Sequence, residues 1–395
     1  MKELQFIALA AELASLLEEA NIPYQFVDAA SLRMQGVEID VNILSIHIQW
    51  DVLEKAYELF QPYSPSSIKR NATKAGFRFY NGEIDVQISC YFNMTVRTDP
   101  YRIMVNYEGT AFWCRSLYAY LYFPGEEQYQ ELIHQALITE QQKLTKQNEL
   151  AWNQSNYTAL LNRYGEPEGI AEKIKQNPGW RLHPFGKYMK DATGKRVIHL
   201  MGSNGIKAVA LSLLGADVTV ADFSRENAAF AVEVAGYADV SINYIISDVL
   251  SLLDKTEAAS YDIVLMELGV LHYFIDLKPL LQIVKQLLCQ GGRFILHEFH
   301  PISTKLITSS GKKHKVTGNY FSPAIERGEV AFAKHMPDKE KEELTKVVQR
   351  KWTMGELITA VAQEGLMIRI LEEEPNHKLH DIGLPKTFTL VAEKL

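Results

Sequence analysis

Arg196–Ser224, RVIHLMGSNGIKAVALSLLGADVTVADFS, is the stretch that decides the fold. It opens with a short apolar run, Val197 to Met201. A tight turn follows, Gly202-Ser203-Asn204-Gly205. An apolar-periodic segment continues to Leu214, and Gly215 stops it. A second β-branched run, Val218-Thr219-Val220, ends in an acid, Asp222. The order is strand, glycine turn, helix, strand, acid, which is one βαβ unit. Glycines let backbone N–H groups approach a ligand closely, and an acid at the tip of the second strand can accept from both hydroxyls of a ribose. Gly202 and Asp222 stand 20 residues apart, the separation such a unit needs.

The pattern repeats toward the C-terminus. Ser224 is an N-cap for a helix through Ala235. Ile242 to Ile246 forms a third strand that ends in Ser247-Asp248-Val249. Tyr261 to Met266 forms a fourth, apolar on both faces as a central parallel strand should be. It ends in Glu267-Leu268-Gly269, with His272-Tyr273-Phe274 after it. Leu277 to Leu288 is an amphipathic helix that Gly291-Gly292 should close. Arg293 to His297 is a fifth strand, followed by Glu298-Phe299-His300-Pro301. Residues 302–350 are charged and poor in core pattern, as a lid or insertion would be. Thr353 and Glu356 spell a capping box, and Met367 to Leu371 and Phe388 to Val391 supply two last strands.

Toward the N-terminus, Trp180 to Asp191 (WRLHPFGKYMKD) mixes aromatic and basic groups just before the first strand, and such a segment can fold over a ligand. Residues 140–150 (EQQKLTKQNEL) are almost wholly polar, which puts the domain boundary there: an α+β accessory domain over 1–145 and an α/β domain over 146–395. Before the boundary come a helix over Lys2 to Ala20, strands near Tyr24 to Val27 and Ile39 to Ile48, and a hairpin about Asn81-Gly82.

Composition narrows the function. The chain has 395 residues, 47% hydrophobic and 23% charged, with a net charge of −7. Phosphate neutralisation needs a basic face, so no nucleic acid is expected as partner. Cys90, Cys114 and Cys289 form no CxxC pair, which suits a reducing, cytoplasmic setting. Glu3, Glu12, Glu18 and Glu19 speak against a signal peptide, and no apolar run is long enough to span a membrane. The oligomeric state is not readable from the chain.

Residues 150–395 resemble the class I S-adenosylmethionine-dependent methyltransferases. The glycine-turn motif of that family, V-L-D-L-G-C-G-T-G, stands here as V-I-H-L-M-G-S-N-G. His199 replaces the usual acid, Met201 the first glycine and Ser203 the middle one, while Gly205 matches the last. The resemblance implies a Rossmann-like seven-stranded sheet of order 3-2-1-4-5-7-6 with the seventh strand antiparallel. It implies S-adenosyl-L-methionine as cofactor, bound by Gly202, Ser203, Asn204, Gly205, Asp222, Phe223, Asp248, Val249 and Glu267. Asp222 would take the ribose, and Asp248 the adenine amino group. Residues 10–95 resemble a minimal nucleotidyltransferase domain on the stretch NIPYQFVDAASLRMQGVEIDVN. Asp40 and Asn42 stand at its paired metal-binding acids and Asp85 at the third. An amide in place of an acid is a poorer Mg²⁺ ligand, so an inactive domain is expected.

Methyl transfer is an in-line attack on a sulfonium, so the protein's task is alignment and desolvation. A base is needed only where the acceptor must lose a proton, and His300, Glu267 and His272 are the catalytic candidates, His300 first. Glu298 also stands at a strand tip, and His297 should point into the core. HEFH lacks the helical spacing of H-E-x-x-H, and no metal is expected; His377 and His380 could complete a cluster only through folding. A small-molecule or peptide acceptor is expected. The alternatives are nucleotidyl transfer through Asp40 and Asp85, and a non-catalytic scaffold that binds cofactor or partner.

Overall fold

The computed structural model describes residues 2–121, 127–310, 313–336, 344–376 and 383–395. His377 and His380 lie outside the described residues, as does Lys312. The chain forms two compact units, Met1–Leu137 with Phe321–Pro323, and Ile138–Tyr320 with Ala324–Leu395.

The first unit begins with helix α1 (Lys2–Glu19). Its apolar residues recur at helical spacing, and Phe6, Leu9, Leu13 and Leu17 are all buried. Strands β1 (Tyr24–Phe26), β2 (Ile43–Ile48), β3 (Lys69–Arg70), β4 (Lys74–Asn81), β5 (Ile84–Tyr91), β6 (Arg102–Tyr107) and β7 (Thr110–Arg115) form one sheet, ordered β3-β4-β5-β2-β1-β7-β6. Helices α2 (Asp28–Met34) and α3 (Leu53–Leu59) join its core, with Phe26, Ile46, Phe77, Val86, Ile88 and Phe112. The hairpin expected about Asn81-Gly82 is there: Asn81 pairs with Ile84, and Gly82 takes φ +61. Asp40 and Asn42 are exposed in the segment before β2. Asp85 sits on β5 opposite Ile43 and accepts from the Gln87 amide at 2.9 Å.

After α4 (Tyr118–Leu121), helix α5 (Glu127–Trp152) runs unbroken through residues 140–150. That polar stretch is a helix face rather than a linker. Gln141, Thr145 and Asn148 lie at spacings of four and three, and all three are buried. From Ile138 onward the helix belongs to the second unit.

The second unit continues with α6 (Asn156–Tyr164), α7 (Pro167–Gln176) and α8 (Pro178–Arg181), and then enters the sheet. Its elements are β8 (Arg196–Leu200), α9 (Ile206–Leu213), β9 (Asp217–Asp222), α10 (Arg225–Tyr237), β10 (Asn243–Ile246), β11 (Tyr261–Glu267), α11 (Leu277–Leu287) and β12 (Leu288–Phe299). Two hairpin-like pairs follow, β13 (Ile307–Ser310) with β14 (Lys313–Val316), and β15 (Ile325–Gly328) with β16 (Val347–Arg350). Helix α12 (Met354–Gln363), β17 (Leu366–Pro375) and β18 (Pro385–Lys394) end the chain. The sheet order is β10-β9-β8-β11-β12-β18-β17, with β18 antiparallel to both neighbours. Numbered within the sheet, that is 3-2-1-4-5-7-6, as the resemblance implied.

Two local expectations change. Helix α11 stops at Leu287, before the glycine pair. Gly291, at φ +74, and Gly292 belong instead to a bulge in β12, where the pairing jumps from Tyr261↔Leu288 to Ile263↔Arg293. The 302–350 region also carries core: Val330, Ala333, Met336 and Val347 are buried in one cluster with Trp152.

Candidate active site

The glycine turn is built under strain. Met201 and Ser203 both take φ +47, a left-handed conformation that costs a non-glycine residue about 1 kcal/mol. Gly202 lies so close to its neighbours that an added Cβ would sit 2.8 Å from Val220 and 2.9 Å from the His199 ring. Only glycine fits between strand and turn. Gly205 serves packing rather than contact. A Cβ there would meet the Ala231 Cβ at 2.5 Å, and Gly205 does not line the cavity beside the turn. Its expected place among the binding residues is therefore corrected: it lets α9 approach α10.

That cavity, of about 780 Å³, opens at the carboxyl ends of β8, β9, β10 and β11. Gly202, Ser203 and Asn204 line it, followed by Asp222 and Phe223, Asp248 and Val249, and Glu267 to Val270. Asp222 is buried. Its two oxygens accept from the backbone N–H groups of Ser203 (3.1 Å) and Ser224 (2.8 Å), which ties the second strand tip to the turn. Burial pushes its carboxyl up to about 6, against the opposing pull of those N–H groups. Asp248 accepts from Leu250 N–H at 3.1 Å, and burial raises its carboxyl too. The Ser203 hydroxyl is buried at the turn with no hydrogen-bond partner among the described residues. An orphaned hydroxyl, two inward acids and an apolar-dominated wall of this size suit a nucleoside-bearing small molecule.

The rim beyond Glu267 is held by groups far away in the chain. Glu298 is the clamp that the sequence reading left without a role. Its buried carboxylate accepts from Gly269 (2.5 Å), Val270 (3.1 Å) and Leu271 (3.4 Å) N–H. The Gln141 amide acts as a surrogate backbone, donating to the Tyr273 carbonyl (2.9 Å) and accepting from Ile275 N–H (2.8 Å). Trp152 donates to the Tyr273 hydroxyl (3.1 Å), and Trp352 donates to the Leu271 carbonyl (3.0 Å). Asn148 exchanges two hydrogen bonds with the Val348 backbone. The loop is therefore a fixed wall, and His272 projects from it into the cavity lining. Burial, aided by the charges of Lys351 and Lys305, pushes the His272 imidazole down to about 4, so it is neutral near pH 7.

His300 does not join them. It is buried, its Nε2 lies 2.7 Å from a Glu373 oxygen, and its ring meets Phe388 edge-on. It is absent from the cavity wall, where Phe299 stands instead. The cause is the pleat. Residues alternate faces along β12, so Glu298 and His300 share one side and Phe299 takes the other. The sequence reading counted position along the strand and not its parity. His297 is buried as expected, at 5.6 Å from the Phe185 ring and 3.0 Å from the Thr389 hydroxyl.

Trp180, Arg181 and His183, from the segment before β8, also line the cavity, as do Glu329, Phe332 and Gln349 from the 302–350 region. No group of three or more His, Cys, Asp or Glu positioned for a metal is found among the described residues.

Residues 201–296 match a family model described as a methyltransferase domain. A search of curated proteins finds no match. Among solved structures, the chain is similar to a Listeria monocytogenes protein assigned to the S-adenosylmethionine-dependent methyltransferases (19% identity, 54% of this chain and 97% of that one, TM-score 0.43). It is also similar to an S-adenosylmethionine-dependent methyltransferase from Mesorhizobium loti (22%, 51% and 92%, 0.39). A third is magnesium protoporphyrin IX methyltransferase from Synechocystis (14%, 62% and 96%, 0.38). The family match falls on the turn, on strands β9 to β11 and on most of β12, whose order and cavity are those described above. The chain is a class I S-adenosylmethionine-dependent methyltransferase, an enzyme whose methyl donor is S-adenosylmethionine.

Proposed function

We propose that the cavity at the carboxyl ends of β8 to β11 holds the cofactor and an acceptor side by side, and that the acceptor is a small molecule or a peptide. One observation carries this reading: the turn, Asp222-Phe223, Asp248-Val249 and Glu267 line a single cavity in strand order. In this assignment the Asp222 carboxylate takes the ribose hydroxyls. Asp248 and the Val249 N–H take the adenine edge, Phe223 flanks its ring, and Gly202 to Asn204 lie under the methionine end. S-adenosylmethionine supplies an electrophilic methyl group on a sulfonium. The chain's own groups orient both partners and exclude water.

The acceptor enters between Glu267, His272 and Phe299. His272 takes the proton from an acceptor that must lose one; its neutral state near pH 7 leaves a nitrogen lone pair free for that task. Glu267 stands at the boundary between cofactor and acceptor. Glu298 is a positioning residue that holds the loop bearing His272. The wall is rich in aromatic rings and encloses too small a volume for a folded partner, which favours the small molecule or an extended peptide. We further propose that the N-terminal unit, which we assign to residues 1–145, is an accessory domain without nucleotidyl transfer. Asp28-Ala29-Ala30 stands in place of a glycine turn there, and Asn42 in place of an acid. Among the described residues no helix is long and apolar enough to cross a membrane. The three free cysteines suit a reducing, cytoplasmic setting.

Calorimetry with S-adenosylhomocysteine on native and Asp222→Ala protein tests the placement. Equal affinities, with the fold intact by circular dichroism, would overturn it. An acceptor screen under the same conditions, read as methyl incorporation, then separates small molecules from peptides.

A further inference from the structure

We propose that Lys207 and Glu267 form a receiver for an α-amino acid zwitterion, Lys207 taking the carboxylate and Glu267 the ammonium of the cofactor. This rests on the cofactor placement proposed above. It adds a residue, Lys207, that neither the motif nor the family match assigns.

The geometry is local. Lys207 is the second residue of α9, just beyond the turn, and Glu267 is the last residue of β11, the neighbour of β8 in the sheet. Their side chains form an ion pair, and both line the cavity beside Gly202 to Asn204. They are mostly shielded, with 24% and 14% of their side chains exposed. A charged pair on the wall of a binding cavity has lost much of its hydration before any ligand arrives. A zwitterion can insert into such a pair by exchange. One internal contact opens, two charge-assisted contacts form, and no net charge is added to the wall.

His199 supplies the second observation. It stands where the family motif has an acid. It is 1% exposed, both ring nitrogens lack hydrogen-bond partners among the described residues, and Nε2 lies 3.7 Å from a Glu267 oxygen. Burial holds it neutral. A neutral residue under the turn cannot attract an ammonium group. The negative charge that strand β8 lacks is present one strand over, on Glu267, and the turn between them is the same. Lys207 then has a purpose beyond balancing Glu267: it is the cation available to a carboxylate at that end of the cavity.

Three probes separate the parts of the ligand. S-adenosylhomocysteine carries both groups. Its decarboxylated form carries the ammonium alone, and 5′-methylthioadenosine carries neither. Calorimetry on native protein, Lys207→Met and Glu267→Gln gives the test. We expect each substitution to weaken S-adenosylhomocysteine roughly tenfold or more, the order of one lost charge-assisted contact. Both variants should bind 5′-methylthioadenosine within about twofold of native, since nucleoside contacts are untouched. Glu267→Gln alone should weaken the decarboxylated ligand, and Lys207→Arg should recover most of the loss seen in Lys207→Met. Thermal denaturation of each variant establishes that it is folded, and the unchanged nucleoside probe guards against collapse of the cavity. Equal losses on all three probes, or undiminished S-adenosylhomocysteine binding in both variants, would overturn the receiver while leaving the cofactor placement standing. If native protein binds neither S-adenosylhomocysteine nor 5′-methylthioadenosine, the placement itself fails and the receiver fails with it.

Discussion

The two walls of the cavity are built in different ways. The wall from Met201 to Val249 comes from fewer than 50 consecutive residues, and each contact follows its strand in order. Asp222 reaches Ser203 across 19 positions and Ser224 across two. The wall from Leu268 to Ile275 is held by Gln141, Trp152, Glu298 and Trp352, which approach from 27 to 134 positions away. A contiguous wall is set by turn chemistry and strand period. An assembled wall is set by tertiary packing. The first is where the reacting group is delivered and the second is where its acceptor is chosen, so the two can be broken separately.

The sharpest break falls on the assembled wall. His272→Ala should lower turnover by about 10²- to 10⁴-fold, the usual worth of a positioned proton acceptor. S-adenosylhomocysteine affinity should stay near native, because the loss is confined to the acceptor side. Single-turnover kinetics alongside calorimetry checks this once an acceptor is in hand. With the imidazole pushed down to about 4, turnover at saturating cofactor should stay level from pH 8 to about pH 5 and fall below that. A break near the ordinary histidine value would mean that His272 is not the proton acceptor.

On the contiguous wall, Asp222→Ala should weaken S-adenosylhomocysteine by about 2–3 kcal/mol, the cost of removing a charged acceptor shared by two hydroxyls. The native carboxyl adds a pH signature. Burial raises it from 3.8 to about 6. The stability linked to it is fully present below about pH 4 and lost as pH rises through about 6. Ligand binding runs the other way: hydroxyl donors need the ionised form, so affinity should fall as pH drops through about 6. Asp222→Asn should flatten both trends, and calorimetry between pH 5 and 8 reads the second.

The difference between the walls also explains what could be read from the chain. Gly202, Asp222 and Asp248 were legible because the period of the strands and the turn residues fix them locally. The strand order 3-2-1-4-5-7-6 came from the resemblance and is met by the pairing of β8 to β12 with β17 and β18. Glu298 had no stated role, since nothing near it in sequence marks the three N–H groups it accepts from. Gln141 and Asn148 looked like linker residues because a polar helix face is ambiguous until its partners are known. His300 was misplaced by one pleat. Periodicity tells which residues share a face; only the packed sheet tells which face meets the cavity.

Glu298→Gln probes how the assembled wall is held. The amide keeps one acceptor oxygen but turns an N–H toward backbone N–H groups that had a carboxylate. Chemical denaturation should show a loss of about 1–3 kcal/mol, the cost of leaving buried donors unpaired. Turnover should fall further than S-adenosylhomocysteine affinity, because the disturbed loop bears His272. Equal falls in both would mean that the two walls move as one.

The smallest effect is expected at His300, and it tests the correction directly. His300→Ala removes a pairing with Glu373, whose carboxylate is 57% exposed, so water can replace the lost partner. It also removes the acceptor for Ile302 N–H at 3.1 Å and an edge-on contact with Phe388. Exposed-partner ion pairs contribute 1 kcal/mol or less, so the stability loss should stay around that size. The ring lies off the cavity wall, behind the pleat that carries Phe299 inward. Turnover and cofactor affinity should therefore both remain within about twofold of native, in contrast to the His272 variant measured in the same assay. A large loss of turnover in His300→Ala with unchanged stability would return the proton acceptor to the tip of β12. It would also mean that the acceptor reaches the other face of that strand.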